Sequence, residues 1–203
     1  MPTPDELDGL EPLASVLSRD ERWRIFGNRT LEQHRAYIAQ FELRDTVPTD
    51  VRQHFENARN TWLYAFFSYR LLQVALMQVH VAGEAAIKAR AKLEGVDTEK
   101  VFLKALLDMA IERRWLLDAN FEITADRAEH EVLHIERMRL FGEERQPFVG
   151  PLHEQHYAKG LVMAFRSIRN GLAHGEVILG PNLGWAFLAV RDLIDQLFPA
   201  SRG

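Results

Sequence analysis

Apolar residues recur along this chain mostly at helical spacing. The strict two-residue alternation of a half-buried strand is missing throughout. Thr30 followed by Gln33 reads as a capping box and predicts a helix over residues 31–43. Pro48 interrupts, and from Thr49 the pattern stays helical to Leu93, with a bend predicted near Asn60. Residues 62–87 are apolar nearly all round, which marks a central helix covered on most sides. Gly95 closes that unit, and helices over 98–117 and 125–140 follow. The stretch "FGEERQPFVGP", residues 141–151, carries two prolines and two glycines and reads as a loop. A helix over 152–174 is stopped by Gly175, which takes the left-handed cap conformation readily, and "GEVILGPN" is a second loop. A last amphipathic helix, 183–197, ends before Pro199. The expected fold is all-α: a helical bundle over residues 49–203, with residues 1–48 as an N-terminal helical extension.

Composition narrows the chemistry. A chain of 203 residues, 47% hydrophobic and 27% charged, can bury a real core without staples. It has no cysteine, which excludes disulfides, thiolate zinc sites and cysteine nucleophiles and suits a reducing cytoplasm. The net charge of −4 argues against a broad nucleic-acid-coating surface, although a local arginine cluster can still hold one phosphate. The start, "MPTPDELDGLEP", is acidic and Pro-rich, unlike a signal peptide. The most apolar run, "LLQVALMQVHVAGEAAI", carries Gln73, Gln78, His80 and Glu84, so a buried core helix is expected there and no membrane span.

The most specific stretch is "FRSIRNGLAHGEV", residues 165–177. At about 100° per residue, Leu161, Phe165, Ile168 and Leu172 form one narrow core stripe. Arg166, Asn170 and His174 fall on the opposite face, and Arg169 on the flank between. A plain reading exists: polar residues belong on a solvated face, and cations near a helix C-terminus suit the macrodipole. The chemical reading is RNA cleavage by the RNA's own 2′-hydroxyl. A histidine moves protons near neutral pH, an arginine fork holds the charge that develops on the phosphate oxygens, and an asparagine orients either. No metal is required. One exposed histidine cannot be both base and acid, however, so a second copy would have to face the first.

These residues resemble the signature of HEPN domains (higher eukaryotes and prokaryotes nucleotide-binding). That signature is an arginine, usually followed by a polar residue, then a histidine after four to six intervening positions. Arg169, Asn170 and His174 match it, and the helix order over roughly residues 60–198 agrees. Residues 1–48 match nothing in it. The resemblance implies a two-fold symmetric homodimer whose two motifs meet in one cleft and act as a metal-independent RNase without a cofactor. It also implies RNA as substrate, a toxin or phage-defence role in the cytoplasm, and an antitoxin protein as a further partner. Other members of the family are inactive and bind a nucleotide or a protein, which is the alternative reading.

Two further features compete for attention. "HEVLH" places His130 and His134 on one helix face around Glu131, the zincin pattern of two zinc ligands and a base. Ala128, Val132 and Ile135 would be the core stripe of that helix, so a solvated face explains the histidines equally well, and no strand edge is expected to hold a peptide. His153 and His156 could join a metal site only through an unforeseeable fold. The other feature is the line Gln73, His80, Glu84 and Lys88 on the central helix. It reads as i,i+4 pairs in a solvent-facing gap, or, more sharply, as Glu84 contacting Arg169 or a nucleotide. Arg166 and Glu84 are accordingly the expected supporting or phosphate-binding residues.

Overall fold

The computed structural model describes residues 9–122, 155–173 and 183–200. Among these residues it contains six α-helices and no strand. They are α1 (Leu31–Ala39), α2 (Thr49–Tyr64), α3 (Leu71–Leu93), α4 (Leu103–Glu112), α5 (His156–Ala173) and α6 (Gly184–Leu197), with short 3-10 turns at Glu21–Phe26 and Asp118–Asn120. None of the described helices is long and apolar enough to cross a membrane.

Local rules account for several boundaries. The capping box opens α1 as expected: the Gln33 N–H donates to Thr30 Oγ1 at 3.3 Å, and the Thr30 N–H donates to Gln33 Oε1 at 3.0 Å. Gly95 closes α3 at φ +78°, with the Val96 N–H reaching back to the Ala91 carbonyl at 3.1 Å, a Schellman arrangement. α4 ends the same way, with Arg114 at φ 56° in the position a glycine usually takes and the Trp115 N–H on the Ala110 carbonyl. That left-handed residue is why the helix expected over 98–117 stops at Glu112. α6 matches its expected span closely. α1 is shorter than its pattern, because Phe41 and Leu43 reach the core from the loop that follows it.

The single bent helix expected over 49–93 is instead a hairpin. α2 and α3 pack against each other, and the connection is Ala65–Arg70 rather than a bend at Asn60. No glycine or proline marks this turn. It is held from outside, by residues of the N-terminal segment. Trp23 Nε1 donates to the Ala65 carbonyl at 2.7 Å, and His34 Nε2 donates to the Trp62 carbonyl at 3.0 Å. The Asp20 N–H donates to the Phe66 carbonyl at 3.0 Å, while Asp20 Oδ2 accepts the Tyr69 N–H at 2.7 Å. Backbone groups freed at the end of one helix and the start of the next thus find partners without continuing the helix.

The described part of residues 1–48 shares the core of the bundle. Trp23, Ile38, Phe41, Leu43 and Val47 are buried in the same cluster as the helices. Trp62 sits at its centre, its ring 4.6 Å from Phe187 and 5.5 Å from Phe41. The loop after α1 also ties into α6: the Arg44 N–H donates to Asp195 Oδ1 at 3.1 Å, and Thr46 Oγ1 donates to the Phe198 carbonyl at 2.6 Å.

Candidate active site

α5 carries the expected site, and its start is built by residues far away in sequence. Both carboxylate oxygens of Asp118 accept backbone N–H groups there, from Tyr157 at 2.8 Å and Ala158 at 2.9 Å. Asp118 therefore does the work of an N-cap from another element. Gln155 Nε2 adds a fork to the end of α4, donating to the carbonyls of Ile111 at 2.7 Å and Leu116 at 3.0 Å. The Leu117 N–H is taken up by Gln196 of α6 at 2.8 Å.

From that anchor α5 runs antiparallel to α3. Its start lies beside Leu116, next to Trp115, whose ring faces the Arg90 guanidinium near the end of α3 at 5.3 Å. Ten residues further along α5, Phe165 lies against His80 and Gly83 of α3, with the rings of Phe165 and His80 4.8 Å apart. A methyl group on Gly83 would also come within 3.3 Å of Val190 of α6, so three helices meet at this glycine. An isolated glycine inside an apolar helical pattern signals such close packing, and this signal was present in the sequence.

The buried row of α5 is Ala158, Val162 and Phe165, with Leu161 and Ile168 only partly buried beside it. It is rotated from the stripe expected from the sequence. The backbone at positions 166, 169 and 170 belongs to one continuous helix. The side chains of Arg166, Arg169, Asn170 and Leu172, and His174 entirely, lie outside the described residues. So do Gly175 and both loops flanking α5 in sequence.

Of the polar line on α3, Glu84 and Lys88 form the expected i,i+4 pair, Nζ to Oε1 at 2.7 Å. His80 does not stand in a solvent-facing gap. It is 3% exposed, and its Nδ1 donates to the Leu76 carbonyl one turn back at 2.7 Å. Burial pushes its pKa below the ordinary histidine value, against the opposing effect of that hydrogen bond. The correction follows from α5: Phe165 covers the ring that the helical wheel of α3 alone leaves open. His34 is the other buried histidine among the described residues. Its pKa is also lowered, first by burial and further by the nearby Arg29 charge, with the bond to Trp62 acting the other way.

The zincin-like residues His130, Glu131 and His134, and His153 with them, lie outside the described residues. The backbone of His156 opens α5, and nothing beyond that backbone is described for it. Among the described residues no group of three or more histidine, aspartate or glutamate side chains is placed to hold a metal. No protein-family model matches the chain, and neither a curated protein nor a solved structure matches it.

Proposed function

We propose that the chain is a metal-independent endoribonuclease whose site is Arg169, Asn170 and His174, completed by a second copy. The observation that supports this reading is α5 itself: one uninterrupted helix through positions 166, 169 and 170, with His174 following at HEPN-like spacing. In this scheme His174 moves the proton of the RNA 2′-hydroxyl or of the leaving oxygen. Arg169 holds the phosphate oxygens as negative charge builds, with Arg166 as a further phosphate contact. Asn170 orients its neighbours. The 2′-oxygen attacks phosphorus, the 5′-oxygen leaves, and the products carry a 2′,3′-cyclic phosphate and a 5′-hydroxyl. A toxin or phage-defence effector restrained by an antitoxin protein is the biological role that fits such an activity.

The second reading is a non-catalytic module binding a nucleotide or a protein, and the net charge of −4 favours it over broad RNA binding. Incubation with a cellular RNA pool in EDTA, followed by analysis of the new ends, distinguishes the two. Cleavage with cyclic-phosphate ends is the expected result. Activity lost on chelation and restored by zinc would move the chemistry to His130, Glu131 and His134.

A further inference from the structure

Positive charge gathers in one segment of this acidic chain. Residues 19–35 carry five arginines, Arg19, Arg22, Arg24, Arg29 and Arg35, against Asp20, Glu21 and Glu32, while the whole chain has a net charge of −4. The segment is fastened to the turn between α2 and α3, through Asp20 to Phe66 and Tyr69, Trp23 to Ala65 and His34 to Trp62. Asp20 is engaged within the fold, holding Arg22 and the Tyr69 N–H. Arg24, Arg29 and Arg35 are exposed. Arg24 pairs at 3.3 Å with Glu21, itself exposed, and such a pair is worth little in water. Among the described residues neither Arg29 nor Arg35 is paired with a carboxylate.

Aromatic rings accompany these cations. The Arg29 guanidinium lies over the Tyr37 ring at 4.8 Å, that of Arg19 over Phe66 at 5.9 Å and that of Arg22 over Tyr69 at 5.8 Å. Tyr64, the last residue of α2 before the same turn, is 59% exposed. Guanidinium planes and exposed rings stack on unpaired bases, and arginines hold phosphates, so this combination suits a single nucleic-acid strand. A lipid headgroup or an acidic peptide would use the charge alone.

The segment also lies at a telling end of the bundle. From His80, which touches Phe165, α3 runs back nine residues, about 14 Å, to its first residue beside the turn. α5 is antiparallel to α3, and from Phe165 its backbone runs on eight residues, about 12 Å, to Ala173. The second half of α5, positions 169 and 170 included, thus ends where the arginines cover the turn. We propose that Arg24, Arg29 and Arg35 form a docking surface for single-stranded RNA, holding its phosphates beside the end of α5. The choice of RNA as the ligand rests on the ribonuclease reading; the surface itself does not.

Binding is measured in full-length His174→Ala, so that cutting does not interfere, by anisotropy of a short, unstructured, labelled RNA over a salt series. Arg24→Ala, Arg29→Ala and Arg35→Ala are introduced together, and circular dichroism checks the fold. A control triple, Lys92→Ala, Lys100→Ala and Lys104→Ala, removes as much charge from exposed positions around the end of α3 and the start of α4. At about 0.7 per phosphate contact on a single strand, the arginine triple should lower the slope of log affinity against log salt by roughly 2, and weaken binding about tenfold or more in low salt. The lysine triple should stay near the parent. Equal weakening by both triples would assign binding to net charge and overturn the surface, as would a parent that binds phosphatidylserine vesicles or nothing in place of RNA. Wild type that binds RNA through these arginines yet leaves it uncut would support the surface and contradict the ribonuclease reading alone.

Discussion

Phe165 lies so close to Gly83 that a methyl group added to the glycine would sit 2.8 Å from Cε2 and 2.9 Å from Cζ of the ring. Gly83→Ala sets two effects against each other. Alanine improves the intrinsic helix propensity of α3 by about 1 kcal/mol. Overpacking a full core typically costs about 1–3 kcal/mol, and Phe165, 1% exposed, has little room to retreat. A net loss of stability in urea unfolding is expected. Gly83→Ala combined with Phe165→Leu should recover part of it, because the smaller side chain makes room for the methyl group.

Asp118 should matter to α5 out of proportion to its place in a short turn. Asp118→Ala removes the acceptor for two backbone N–H groups, and losing a cap costs about 0.5–2 kcal/mol. Hydrogen exchange at Tyr157 and Ala158 should speed up while the amides of α2 keep their protection. Equal loosening of both helices would mean that Asp118 supports the whole bundle rather than the start of α5.

Trp23→Phe tests the hairpin turn. It keeps the aromatic packing against His34 and Tyr69 but leaves the Ala65 carbonyl without its indole donor. A buried group left unsatisfied costs about 1–3 kcal/mol, which should appear as a lower urea midpoint. An unchanged midpoint would mean that the other bonds from the N-terminal segment suffice to hold the turn.

The helix ends were legible at Thr30 with Gln33, at Gly95 and at the start of α6. The break between α2 and α3 was not legible. Residues 65–70 are largely apolar and aromatic, and the groups that stop the helix, Asp20 and Trp23, come from more than forty residues upstream. Asp118 as the cap of α5 was hidden for the same reason, being separated from Tyr157 by 39 residues. The candidate site was legible as spacing: Arg169 and Asn170 share a helix, as expected.

Acid should weaken the fold through His34 and His80. Both have folded-state pKa values below the ordinary 6.5, with burial the largest cause. The unfolded chain therefore binds protons more readily than the folded one. Stability is intact above about 6.5 and is lost as pH falls through that value toward the folded pKa. Urea midpoints measured from about pH 8 to about pH 5 should be level at first and then decline. Replacing both histidines with glutamine should flatten the decline between about pH 7 and pH 5. A decline of unchanged slope would assign it to other groups.

The central claim is tested most directly by comparing wild type, Arg169→Ala and His174→Ala for cleavage of a cellular RNA pool in EDTA, each first shown to be folded. General acid–base help is typically worth ~10²–10⁴-fold, so His174→Ala should fall by at least that range, and Arg169→Ala should also lose cleavage. Asn170→Ala should lose less. Wild type and His174→Ala equally inert on every RNA, and equally harmless when expressed in cells, would contradict the ribonuclease reading and leave the binding module in its place.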